Sequence, residues 1–182
     1  MTEVVSGVNI KGLAELDKVL RDLPGKLARN VVRGSLRAAA AVVADEARVR
    51  VPVRTGGLRE SIRVSTKVVH GVPQAKVVAG TKSGKKTKGG HDVFYAHMIE
   101  GGTAAHTIEP KNRRALKLGG FFEDEQFVAG AEHPGFPARP FMRPAMDAKF
   151  RQAVLAARDY AYARLERRGI DLPDPGNDEE EA

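Results

Sequence analysis

The chain is 182 residues long, carries a formal net charge of +7 and has no cysteine, so it must hold its fold by packing or assembly, without disulfides or thiolate metal sites. An apolar fraction of 42% and a charged fraction of 29% fit one globular domain with a tail, and no run approaches the roughly 18 apolar residues of a membrane span. The opening "MTEVVSGVNIKG" lacks the basic start and apolar stretch of a secretory signal, and the chain reads as soluble. Charge is unevenly spread: residues 1–90 are net +11 and residues 91–182 net −4. One surface then suits a polyanion and another a basic neighbour, or the basic face is simply solvated.

In "GLAELDKVLRDLP", Leu13, Leu16, Leu20 and Leu23 fall on one face of a short helix that Pro24 and Gly25 end. A longer helix is expected from about 26 to 50. Its apolar residues form two adjoining stripes, one with Leu27, Val31, Val42 and Val49, the other with Val32, Leu36, Val43 and Ala47. So wide an apolar arc calls for two packing partners, taken here as the chain's own sheet and a neighbouring subunit. Lys26, Arg29, Arg33, Arg37 and Arg48 share the remaining arc.

Pro52 stops that helix, and "RTGG" turns the chain into "ESIRVSTKVV", whose Ile62, Val64, Thr66 and Val68 make one strand face. "AKVVAGT" is expected to pair with it through the turn "HGVPQ". "KSGKKTKGGHD" has four lysines, three glycines and no apolar residue, which predicts a mobile loop. "VFYAHMIEGGT" is apolar enough to be buried, "HTIEP" and "RALKL" read as two strands of a further hairpin, and Gly119-Gly120 with "EDEQ" reads as an exposed turn. Met146, Phe150, Val154, Ala157, Ala161 and Leu165 define an amphipathic helix from about 144 to 168, with Pro144 in its first turn and Gly169 as its C-terminal cap. The expected architecture is α+β, a long N-terminal and a C-terminal helix packed on a mostly antiparallel β-sheet. It comprises a single domain over 1–170 and a disordered acidic tail over 171–182, "DLPDPGNDEEEA".

Catalytic patterns fail on spacing. "GTKSGKK" has three residues between its glycines where a phosphate loop has four, and Lys86 follows Lys85 where Ser or Thr belongs. His97, Glu100 and His106 lie close in sequence but do not form H-E-x-x-H. Ser35, Ser61, Ser65 and Ser83 lack a G-x-S-x-G setting. These residues give no catalytic, cofactor or metal site, although a hydrolase or nuclease assembled from distant residues stays open as an alternative. A nonspecific nucleic-acid-binding module is the other alternative, supported by the basic helix arc and the lysine loop, which supply phosphate contacts without base readout.

Three stretches stand out in order: "PVRTGGLRESI", "YAHMIEGGT" and "HPGFPARPFMRPA". The first carries Pro52, Thr55, Gly56, Leu58, Ser61 and Ile62, and the second Tyr95, Ala96, Glu100, Gly102 and Thr103. The third carries His133, Pro134, Gly135, Arg139, Pro140, Phe141, Pro144 and Ala145. Over roughly residues 8–168 the chain resembles the neck or tail-completion family of long-tailed bacteriophages, the head-tail joining and minor tail components. The lysine loop is longer and more basic than in that family, and the acidic tail is an addition to it.

The resemblance implies a non-enzymatic structural protein of the virion, assembling as a ring at the head-tail junction around the DNA channel. The ring would be six-fold, with twelve-fold as the alternative order. Implied partners are further copies of the chain, a head connector or head-closure protein, a tail terminator or tail tube protein, and packaged double-stranded DNA; no cofactor and no membrane are implied. In such a ring the candidate DNA-channel contacts are Lys26, Arg29, Arg33, Arg37, Lys82, Lys85, Lys86 and Lys88. The third stretch has four prolines in thirteen residues, and proline fixes φ and lowers the cost of ordering an extended strap. Two uses follow. The strap docks on a neighbouring subunit, with Phe136, Phe141 and Met142 as anchors and Arg139 and Arg143 as charged contacts, or it crosses its own sheet to deliver the last helix.

Overall fold

A computed structural model describes residues 10–82, 84–110, 115–118, 126–170 and 172. The first leucine face forms helix α1, Leu13–Asp22, and Pro24 breaks the chain before α2, Gly25–Arg50, a helix of 26 residues or about 39 Å. A five-residue helix α3, Gly57–Ser61, precedes the antiparallel strands β1, Arg63–Val69, and β2, Val72–Val78. Next come α4, Ala96–Gly101, then β3, His106–Ile108, β4, Leu116–Leu118, β5, Gln126–Val128, and β6, Ala131–His133. The last helix, α5, runs over Met142–Glu166.

The class is α+β with antiparallel pairing and helices at both ends, as expected. The described strands form three separate two-stranded ladders, β1-β2, β3-β6 and β4-β5. α5 runs antiparallel along α2, since Val31 and Leu165 share a core cluster at one end while Glu46 faces Lys149 towards the other. Part of the apolar arc of α2 is thus covered by α5 of the same chain, Val31 of the first stripe packing beside Ala161 and Leu165. Alanines make that approach possible: Ala44 and Ala47 on α2 and Ala145, Ala153 and Ala161 on α5 are all buried. β1 and β2 also pack on α2, where Ala44 and Ala47 share a cluster with Val64 and Val77.

Two apolar clusters hold the helices. One joins α1, the start of α2 and the end of α5 around Leu16, Val31, Ala161 and Leu165, with Ile170 and Leu172 packed against it. The other contains Ala47, Val51, Leu58, Ile62, Val93, Ala96, Phe141 and Ala145, and it fixes the candidate site.

Several local expectations are corrected. The segment after "RTGG" enters a helical turn before the strand, because Gly56 takes φ +81° and starts α3. The β1-β2 turn is His70-Gly71, both at positive φ, the pair of angles a tight two-residue hairpin needs, and β2 therefore begins at Val72. "HTIEP" and "RALKL" do not pair with each other: β3 pairs with β6 and β4 with β5, with seven residues between β3 and β4 against two between β5 and β6. The "EDEQ" turn falls outside the described residues except for Gln126, which begins β5. The acidic tail lies outside them except for Leu172. Among the described residues no helix is long and apolar enough to cross a membrane.

Candidate functional site

The three singled-out stretches meet. In the first, Leu58, Ser61 and Ile62 are buried, and the Ser61 hydroxyl donates to the Leu58 carbonyl (2.6 Å) while accepting from the Gly80 N–H (2.8 Å). The Arg63 guanidinium donates to the Gly80 carbonyl (2.7 Å) and Arg48 to the Ile62 carbonyl (2.7 Å). The base of β1 is thereby tied both to the end of β2 and to α2.

In the second, Ala96 enters the core, as does Val93 just before the stretch, while α4 presents Glu100 to the strap. One carboxylate oxygen of Glu100 accepts the N–H groups of Phe141 (2.7 Å) and Met142 (3.0 Å), and the other accepts that of Arg143 (3.2 Å). Pro144 has no N–H, and the Ala145 N–H already bonds to the Phe141 carbonyl (3.2 Å). Every donor in the first turn of α5 is accounted for, by an acid placed where the helix dipole favours negative charge.

The strap lies along the same segment. Thr103 and Phe136 exchange two backbone hydrogen bonds (2.9 and 3.0 Å), and the Arg139 N–H donates to the Ile99 carbonyl (2.8 Å). Gly135, at φ +84°, presses against the backbone of Thr103 and Ala104, while a Cβ on Gly102, at φ +72°, would stand 2.8 Å from the Ala138 nitrogen. Gly135→Ala should therefore cost about 2 kcal/mol, from the strained φ and the backbone that must move. Denaturant titration checks this; an unchanged midpoint would mean that the strap is not held against residues 103–105.

Of the five residues proposed from sequence as a subunit interface, the structure separates one outright. Phe141 is 1% exposed and sits in this subunit's own core, so its ring is not available as an anchor on a neighbour. An apolar side chain beside prolines reads the same in sequence whether it faces inward or outward. Met142 is half-buried against the same core, and Arg143 is exposed. Phe136 and Arg139 do share a surface, the guanidinium lying 5.5 Å from the ring centroid. They line a recess of about 400 Å³ with Pro52, Thr55 and Leu58 of the first stretch and Tyr95 and Ile99 of the second. Val53, 61% exposed, also lines it, and exposed Phe94 packs edge-on to Tyr95.

The eight candidate DNA-channel residues form two groups. Lys26, Arg29 and Arg33 line a recess of about 310 Å³ with Val68, near the β1-β2 turn, and Arg37 is exposed one helical turn further along. Lys82, Lys85, Lys86 and Lys88 line another, of about 450 Å³, with Arg63 at the opposite end of β1. Arg63 and Val68 stand five strand positions apart, about 17 Å. The lysine segment, expected to be mobile, is tethered: Glu60 accepts the Thr87 hydroxyl (2.8 Å) and the Gly89 N–H (2.8 Å), and the Thr87 N–H donates to the His91 carbonyl (2.8 Å).

Sequence reasoning gave no role to Glu100 as the acid at the start of α5, or to Glu60 as the tether of the lysine turn. The first left a trace, because Phe141 at the cap position of α5 has no side-chain acceptor and the missing one must come from elsewhere. His106 and His133 stack at 5.0 Å between ring centroids, and their Nδ1 atoms bond to the Ala104 carbonyl and the Gly135 N–H. Among the described residues no three His, Asp or Glu side chains are grouped to hold a metal ion.

Such a site is built from buried backbone ties beneath an apolar, arginine-edged recess, a surface suited to contact between proteins. Residues 14–102 match the model of the HK97-gp10-like family, described as "Bacteriophage HK97-gp10, putative tail-component". Over that span the chain is similar to a family of structural bacteriophage tail components, consistent with the tail-completion resemblance carried by its motifs. The matched span holds the first two stretches up to Gly102, and Glu100 and Thr103 bind the third to them. No curated protein and no solved structure matches the chain significantly.

Proposed function

We propose that this structural phage protein assembles as a closed ring at the head-tail junction, around the DNA channel, and that the recess beneath Arg139 is one of its protein contacts. The observation that carries the reading is the convergence of the three stretches on one recess, two of them inside the span that matches the tail-component family. A ring closed by head-to-tail contacts needs two unlike patches on each copy. Besides the recess, the chain exposes Phe127 (67%) and Ile108 (40%) on the β3–β6 segment, as well as an apolar groove of about 330 Å³ among Leu36, Ala39, Met142 and Met146. The partners in this reading are copies of the chain, a head connector or head-closure protein on one side and a tail terminator or tube protein on the other.

Deleting the gene from a phage that carries it should yield DNA-filled heads and complete tails that do not join, counted by electron microscopy. Arg139→Glu, supplied in trans, should restore joining poorly, by roughly tenfold or more for a disrupted central contact, while the purified variant keeps its thermal midpoint. Normal joining without the gene would refute the proposed role.

A further inference from the structure

The outer face of the β1-β2 hairpin carries charge that the ring reading leaves unassigned. Directly paired residues of an antiparallel ladder share a face, so Arg63, Ser65 and Lys67 stand with Val78, Lys76 and Gln74. Val64 and Val77, paired on the opposite face, pack against the core. Arg63, Lys67 and Lys76 are exposed, and Arg63 also belongs to the recess of Lys82, Lys85, Lys86 and Lys88. Seven cations thus follow one another from the lysine turn along the hairpin, and none of them makes an ion pair with a described residue. The nearby carboxylates are already engaged: Glu60 by Thr87 and Gly89, Asp92 by the Thr81 hydroxyl (3.4 Å) and the Phe94 N–H (3.3 Å).

We propose that this face, from the lysine turn through Arg63 and Lys76 to Lys67, is a sequence-blind track for the phosphate backbone of duplex DNA. The proposal deepens the ring reading and rests on it for the setting in the particle. Six of the seven cations are lysines, which bind phosphate as point charges and are depleted from protein–protein interfaces, and this argues against an acidic protein as the occupant. Residues 60–90 contain no Phe, Tyr or Trp, so the track has no platform on which single-stranded bases would stack. Arg63 to Lys67 spans about 13 Å, against a duplex that carries one charge per about 1.7 Å of axis. Glu60 also prearranges the lysines, reducing the ordering that binding would otherwise require.

The test is fluorescence anisotropy of the full-length protein with two short duplexes of unrelated sequence, a matched single strand and poly-glutamate, between about 50 and 200 mM salt. Both duplexes should bind equally, with a slope of log affinity against log salt near −6, from seven contacts at about 0.9 each. The quadruple variant K82Q/K85Q/K86Q/K88Q should bring the slope to about −3 and weaken low-salt binding by roughly 100-fold or more, with its thermal midpoint unchanged. No binding at low salt, an unchanged slope in the variant, or tighter binding of the single strand would overturn the proposal. Poly-glutamate bound as tightly as duplex would overturn it too, marking a docking face for an acidic protein. Because the readout uses the isolated protein, failure here leaves the ring reading standing, and normal joining without the gene leaves this proposal standing.

Discussion

Phe141→Ala should lower stability by about 3–5 kcal/mol, the largest loss expected from any single change in the strap. The ring is 1% exposed and shares its cluster with Leu58 and Ile62 of the first stretch and with Val93 and Ala96 of the second stretch and its approach. Removing it opens a cavity where all three stretches meet. Backbone tied by Ser61, Gly80 and Glu100 has little freedom to collapse into that space. For a chain of this size each kcal/mol moves the thermal midpoint by roughly 2–4 °C, so a fall of about 6–20 °C is expected by calorimetry. Phe141→Leu, which keeps most of the volume, should cost about 1.5 kcal/mol. An unchanged midpoint in the alanine variant would mean that the ring is not packed in its own subunit and would return it to the role of an external anchor.

Glu100→Ala should cost about 3 kcal/mol, more than an ordinary helix cap, because one carboxylate serves three N–H groups of α5 and also offsets the helix dipole. Glu100→Gln keeps one acceptor oxygen and loses the charge, and should cost roughly half as much. The distinguishing readout is local. Amide hydrogen exchange at Phe141, Met142 and Arg143 should accelerate in both variants, while amides in the middle of α2 keep their protection as long as the domain stays folded. Uniform acceleration across α2 and α5, or none at Phe141–Arg143, would contradict the assignment of Glu100 as the acid that starts the helix.

Where these two effects come from shows what could be read in the residues alone. The leucines of α1 and the spacing from Met146 to Leu165 in α5 announced their helices, because each keeps an apolar face over several turns. Five-residue α3 is too short to show a period, and three-residue strands such as β3 and β4 carry no signal of their partners. The seam between α2 and α5 is lined by alanines, whose weak hydrophobicity cannot tell a helix of the same chain from a neighbouring subunit. The Glu100 and Glu60 contacts join residues 41 to 43 and 27 to 29 positions apart, so periodicity is blind to them. For the candidate site, the three stretches were visible as motifs. Their meeting at one recess depends on the fold, and so does the inward turn of Phe141 beside the outward Phe136-Arg139 pair.

Reconstruction of joined particles by electron cryomicroscopy shows whether the protein forms a ring at the head-tail junction. A closed ring of copies is expected between head and tail, with a protein neighbour in the Arg139-Phe136 recess and with Arg63, Lys67, Lys76 and the lysine turn facing the channel. Copies absent from the junction, or present there with the recess open to solvent and the lysine turn facing away from DNA, would contradict it.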